Sequence, residues 1–200
     1  VLFVRQATTP GMRAARFPVP GERADPASLA AAAALAGVVA GLPAFAAPSA
    51  AAGQTASALG LDASAVPCLA EADAGRWAGL TYEQVARDEP DDLARWLADP
   101  HAAPHGGESL AGLADRVASW LGSGPPEEAV VVCDAGAIRA ALACALGLDP
   151  WAAARFDVAP LSTTELSPAR GGWRVAHVNR TVGRPVGRTP PRRPNRKVTA

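Results

Sequence analysis

The first strand-like run of the chain, "VLFVRQATT", ends in Arg5 and Gln6. In α/β proteins ligands gather at the carboxyl ends of strands, so a guanidinium there is a natural anion partner. Thr8 and Thr9 add hydroxyls that could donate to the same anion or satisfy the turn backbone. Gln6 is the anomaly. Its amide lone pair is delocalised, so it is no nucleophile. The imidazoles that could act instead are His101, His105 and His177, and none is expected at a strand end in the position that Gln6 holds.

Cys133 and Arg139, in "CDAGAIR", have C-x5-R spacing. That spacing serves thiolate chemistry only when a loop of backbone N–H groups surrounds the anion. Here the loop has one glycine, and Asp134 beside the thiol would raise its pKa. Cys68, Cys133 and Cys144 form an odd set without C-x-x-C spacing, which predicts reduced thiols in a cytoplasmic protein rather than a disulfide framework or zinc site.

These residues need strands and helices to position them, and the pattern alternates the two. Strands are expected at Val1–Arg5, Leu42–Ala46, Val66–Leu69, Phe156–Leu166 and Trp173–Val178, with the strongest in "AVVVCDAG", a continuous apolar run suited to burial on both faces of a parallel sheet. Helices are expected at Ala27–Ala40, Ala50–Leu59, Asp91–Ala98 and Ala137–Leu146. Thr81 and Gln84 have capping-box spacing, and Ser109 precedes a helix with Leu110, Leu113, Val117 and Trp120 on one face. Trp77, Trp96 and Trp120 are expected to pack around a helical cap. The alternation predicts a doubly wound α/β sheet.

An apolar content of 49% over 200 residues fits one globular domain. The charge-free stretch from Pro26 to Leu61 is rich in Ala and Gly and interrupted by Pro43, which suits a buried crossover rather than a membrane span. Net charge is zero but unevenly placed. Arg180–Ala200 holds seven Lys/Arg and no acid, leaving twelve basic against nineteen acidic groups before it. This Pro/Arg-rich tail is expected to be disordered, solubilising, and able to fold back on the acidic body. Nucleic acid is not the expected partner, since only this tail could touch it.

Four stretches in order, "LFVRQATT", "LAEADAGRWAGLTYEQV", "DPHAAPHGGESLAGLADRV" and "VVVCDAGAIRAAL", resemble the histidine phosphatase superfamily, also called phosphoglycerate mutase-like proteins. The likeness runs from about Val1 to Asn179 and is strongest to small enzymes grouped with alpha-ribazole phosphatase and broad-specificity sugar phosphatases. It implies a three-layer α/β/α domain over residues 1–179 with a mostly parallel sheet, followed by the tail 180–200, and it implies no cofactor. In the family the first strand ends in Arg-His-Gly or Arg-His-Ala, and that histidine attacks phosphorus. Arg5 and Ala7 match, but Gln6 stands at the histidine. A second family histidine, after the buried strand, corresponds to Asp134. A second phosphate-binding arginine corresponds to Ala51, while the family acid is kept as Glu71. His105 lies in a loop that borders the family pocket, although a solvent-facing loop histidine is the plainer expectation.

The resemblance thus implies a pocket changed by about three charge units against a phosphate dianion, each worth roughly 3–4 kcal/mol at 4–5 Å and an effective dielectric near 20. The expectation is a degenerate member, inactive in phosphoryl transfer and acting by binding a small ligand or a protein. Two alternatives remain. One is a phosphomonoesterase with substitute chemistry. The other is an acid–base enzyme using Glu71 and Asp134, whose pKa values a shared cleft would drive apart. With Gln6 these carboxylates could also hold a hard divalent cation, or Asp134 could pair with Arg5 in a dead site.

Overall fold

Val130–Cys133, four consecutive fully buried residues, form β4, the strand around which the sheet is assembled. The structure, a computed structural model, describes residues 1–181. β1 (Leu2–Arg5) lies parallel to β4 on one side, and β2 (Ala44–Ala46) parallel to it on the other. β3 (Ala63–Ala65) extends the parallel set beyond β2, while on the other side β5 (Ser162–Ala169) pairs antiparallel with β1 and β6 (Gly172–Thr181) antiparallel with β5. The sheet is therefore mostly parallel, in the order β3-β2-β4-β1-β5-β6. Continuous Val in β4 is what burial on both faces requires.

Helices α1 (Pro10–Arg13), α2 (Pro26–Ala33), α3 (Ala50–Ala58), α4 (Tyr82–Asp88), α5 (Pro90–Ala98), α6 (Leu110–Gly122), α7 (Ala135–Leu146) and α8 (Pro150–Ala154) complete the described chain. The capping box at α4 forms as its spacing predicts, with Thr81 and Gln84 bonding reciprocally. Ser109 caps α6 by accepting from the Gly112 N–H. That helix buries Leu113 and Val117 as expected, with Ala111 and Leu121 completing the stripe, and leaves Leu110 and Trp120 partly exposed.

Several expectations need correction. Residues 66–69 are not a strand: Pro67 has no N–H to continue a ladder, and Pro67–Leu69 is a 3-10 turn just after β3. The long Ala-rich helix ends at Ala33, because its near-uniform alanine offers no apolar stripe to bury, and turns with Gly37 and Gly41 at positive φ follow. β5 begins only after Pro160 and the left-handed Leu161. Trp120 packs edge-on against Phe3 and Phe45 on the sheet, at 6.3 Å from each. Trp77 and Trp96 instead join Phe17 and Val85 in a separate small cluster. β6 reaches Thr181, so the first two residues of the supposed tail belong to the sheet. The rest of it, 182–200, lies outside the described residues.

Two contacts fix the loops over the sheet's carboxyl edge. The Arg116 guanidinium grips both Glu108 carboxylate oxygens at 2.7 Å and also donates to the carbonyls of Cys68 and Ala70, each at 2.7 Å. A planar fork with five donors suits this multiple grip. Beside it, the backbones of Gly75 and Gly107 meet directly. A Cβ on Gly107 would fall on the Asp73 carbonyl, and one on Gly75 on the His105 carbonyl. The Glu108 N–H donates to the Asp73 carbonyl (2.8 Å) and the Arg76 N–H to that of His105 (3.0 Å) across this seam. Gly107→Ala is expected to force the seam apart and cost about 2–3 kcal/mol, read by urea unfolding; a loss under about 0.5 kcal/mol would show that the seam yields.

Candidate functional site

Parallel pairing of β1 with β4 is in register, Arg5 opposite Cys133, and the Gln6 N–H donates to the Cys133 carbonyl at 2.8 Å. Gln6 and Asp134 therefore emerge side by side at the carboxyl ends of adjacent strands. Both are buried, at 1% and 7% exposure.

Asp134 caps α7. Its carboxylate accepts the Gly136 N–H at 2.5 Å and the Ala137 N–H at 3.3 Å, bonds that a helix N-terminus offers to an anion. A Cβ at Gly136 would press to 2.8 Å from that carboxylate. Burial nevertheless outweighs the two N–H groups and lifts the Asp134 carboxyl above its ordinary range. An Asp134–Arg5 ion pair does not form. Arg5 instead donates to the Val158 carbonyl and toward the Met12 sulfur. Gln6 is equally committed, since its Oε1 accepts the Ser49 hydroxyl at 3.2 Å. Ser49 in turn caps α3.

Two clefts open at this edge, of about 300 and 220 Å3, sharing a wall made by Pro18 and the segment Glu71–Ala74. Gln6, Thr9, Ser49 and Ala51 line the smaller one; Asp134, His105 and Arg139 line the larger. Glu71 belongs to both. Its carboxyl is pushed up to about 8, chiefly by burial, then by the charges of Asp134 and Glu22, against a downward pull from Arg5. Arg5 and Thr8 line neither cleft. The Thr8 N–H is tied to Ser28 (2.9 Å), and Thr9 caps α1 by accepting from the Met12 N–H at 3.2 Å.

His105 is not solvent-facing. It is 4% exposed, its ring 4.8 Å from that of Trp77 and its Nδ1 accepting the Gly107 N–H at 3.0 Å. Burial and nearby Arg76 lower its pKa, so a neutral ring faces the larger cleft. His101 is exposed. His177 sits on β6 against Thr163 and Glu165. The C-x5-R match has no chemistry: Cys133 is enclosed in β4 with its thiol pKa driven well up by burial. The backbone from Ala135 onward is helix, and Arg139 Nε donates to the Phe156 carbonyl at 3.0 Å. The thiols of Cys68, Cys133 and Cys144 are free. Among the described residues no group of three or more His, Cys, Asp or Glu is placed to hold a metal ion, and no helix is long and apolar enough to cross a membrane.

Glu22 escaped the sequence reading. It lines the smaller cleft, with Oε1 accepting the Gly11 N–H at 2.7 Å. It comes from the turn-rich "FPVPGERADP", where no periodicity signals burial. Trp151, on the larger cleft, was missed with α8, although Asp149-Pro150 is a helix-start signal.

The sequence profile of the histidine phosphatase superfamily (branch 1) matches residues 25–181, starting downstream of Arg5 and Gln6. A glucosyl-3-phosphoglycerate phosphatase of Mycobacterium tuberculosis is 39% identical over 89 residues, a match spanning 39% of this chain and 40% of that protein. Phosphoserine phosphatase 1 of Hydrogenobacter thermophilus is 42% identical over 52 residues, covering 26% of this chain and 25% of its own length. The curated relatives are thus matched over less than half their length. A structure of the mycobacterial glucosyl-3-phosphoglycerate phosphatase with VO3 superposes with a TM-score of 0.77 at 27% identity, over 90% of this chain and 98% of that one. A putative alpha-ribazole-5'-P phosphatase from Escherichia coli shares the fold, with a TM-score of 0.79 at 18% identity, covering 91% of this chain and 97% of the other.

The raised Glu71 value has a stability consequence. Between its ordinary 4.5 and about 8, the folded chain holds a proton that the unfolded chain has released. Stability from this group therefore falls as pH rises through that window and levels off above it. Glu71→Gln, which keeps the neutral form, is expected to outlast the parent by a margin growing to a few kcal/mol between about pH 5 and about pH 9. Urea unfolding at both pH values checks this; an equal margin at the two would mean that Glu71 titrates normally.

Proposed function

The chain belongs to the histidine phosphatase superfamily (branch 1), and from that premise we propose that it is a member without phosphoryl-transfer activity, whose strand-end clefts bind a ligand instead. The observation that carries this reading is Gln6, an amide buried at the end of β1 and held through Ser49, beside a carboxylate already used to cap α7. The resemblance puts the attacking imidazole at Gln6 and its partner at Asp134. An amide forms no phosphoenzyme, and among the described residues neither His101, His105 nor His177 lies at a strand end in its place.

Charge supports the same reading. Ala51, where the resemblance puts a second arginine, is a buried alanine on the smaller cleft's wall. Glu22 adds a further carboxylate, and Arg5 is occupied by Val158 and Met12. A phosphate dianion entering here would meet acids where it needs cations. The free thiols and the lack of a spanning helix among the described residues fit a cytoplasmic protein, and the mycobacterial relatives fit a bacterial one.

One observation favours a second reading. Glu71, with its carboxyl near 8, and Asp134 line the same cleft, as an acid–base pair acting on an unphosphorylated substrate would require. Activity lost in both Glu71→Gln and Asp134→Asn, with the fold intact, would mark that case.

The purified chain is expected to show no turnover above blank on p-nitrophenyl phosphate, phosphoserine or glucosyl-3-phosphoglycerate, and no acid-labile phosphoenzyme. A combined Gln6→His, Ala51→Arg, Asp134→His variant is expected to gain phosphate binding, read by calorimetry. Turnover by the parent at a rate of about 1 s⁻¹ or more, ordinary for an enzyme, would overturn the proposal.

A further inference from the structure

The larger cleft differs from the smaller in its walls. Trp96 and Trp151 stand nearly at right angles, 87° apart with ring centroids at 5.0 Å. Tyr82 and Phe17, stacked at 4.2 Å, continue the aromatic lining. Glu71, Asp73 and Asp134 line the same cleft; Asp73 accepts the Gly75 N–H at 2.9 Å and Asp134 the N–H groups of α7. Glu108 also borders the cleft, but Arg116 neutralises it. The cationic side chain of the lining is Arg139, whose Nε is already given to the Phe156 carbonyl. His105 contributes a neutral ring.

Each class of ligand would meet this wall differently. An anion would be repelled by the acids and offered one partly engaged guanidinium. A neutral apolar molecule would gain from the indoles and leave the carboxylates without a partner. An ammonium group gains twice, from the negative faces of the aromatic rings and from carboxylates in a cleft of lowered dielectric. A cleft of about 300 Å3 holds one small molecule.

We propose that this cleft binds a small organic amine as its ammonium ion, with the apolar body against the wall that Trp96 and Trp151 form together and the cationic head toward Glu71, Asp73 and Asp134. This deepens the binding reading above and rests on it. It also inverts the charge of the ligand relative to the phosphate esters in the relatives' names.

Proton linkage is a second signature. Glu71 is faced by Asp134 at the start of α7, by Glu22 from the loop before α2, and by Arg5 from β1. The two acids and burial keep it protonated at neutral pH, against the pull of Arg5. A cation placed beside it removes that penalty, so binding near neutral pH expels the Glu71 proton to buffer.

The test is calorimetry at low salt on the full chain with benzyltrimethylammonium, whose charge does not titrate, beside benzylamine, benzyl alcohol and benzyl phosphate. Both cations are expected to bind saturably, at least about tenfold tighter than the alcohol, with no binding of the phosphate. Titrations in two buffers of different ionisation enthalpy are expected to show proton release by benzyltrimethylammonium near neutral pH. Glu71→Gln is expected to abolish that release and weaken binding. Trp151→Leu is expected to weaken binding about tenfold while keeping the release, which separates the aromatic wall from the carboxylate. Alcohol or phosphate binding as tight as the cation, no saturable cation binding at millimolar concentration, or proton release unchanged in a folded Glu71→Gln variant would each overturn the proposal. Failure here leaves the phosphomonoester assay untouched, and turnover in that assay would defeat the parent reading whatever the cation does.

Discussion

The in-register parallel pairing of β1 with β4 is the constraint on which the rest of the site depends. It places Arg5 against Cys133 and ties the Gln6 N–H to the Cys133 carbonyl, so whatever follows each strand must share one small volume at the sheet's edge. The helix that starts after β4 then has its unpaired N–H groups in that volume. In this chain the residue supplied to them is Asp134, and the local need of the helix is met by the same carboxylate that charges the cleft. Capping and electrostatics are one event here.

Carboxyl groups gather at that edge from separate parts of the chain. Glu22 arrives from a turn, Glu71 from a loop pinned by Arg116, and Asp134 from the end of a strand. Folding tolerates this because each has an individual remedy. Glu22 accepts a backbone N–H from Gly11, Asp134 accepts two from α7, and Glu71 keeps its proton. Arg5, the nearest compensating charge, has instead taken the Val158 carbonyl. Asp134 is bonded in place by the α7 N–H groups instead, while burial still lifts its carboxyl above the ordinary range.

The relatives share the frame over nearly its whole length, as the superposition at 27% identity shows. Fold and function separate at this point, because a common sheet fixes where a site lies and says little of what its side chains do. On the reading proposed above, the residues that alter the chemistry, Gln6 after β1 and Asp134 at the start of α7, lie outside the core of Val130–Val132, Leu113 and Val117. The arrangement of Gly75 against Gly107 keeps the loop bearing Asp73 fixed over the clefts.

The sequence by itself determined the family, the α/β class, the central Val-rich strand, the capping box at Thr81 and the cap at Ser109, since these follow from local pattern and from motifs read in order. It also placed Gln6 and Asp134 at strand ends, which the resemblance implied would meet at one pocket. Tertiary structure decided which side chains those residues engage: that Arg5 leaves Asp134 for a carbonyl, that His105 turns inward onto Trp77, that Glu22 joins the site, and that Trp96 and Trp151 meet at a right angle. The physical reason is that caps and buried strands depend on neighbours within a few residues. A charge buried among groups distant in the sequence finds its partner, or fails to, only when the sheet has brought them together.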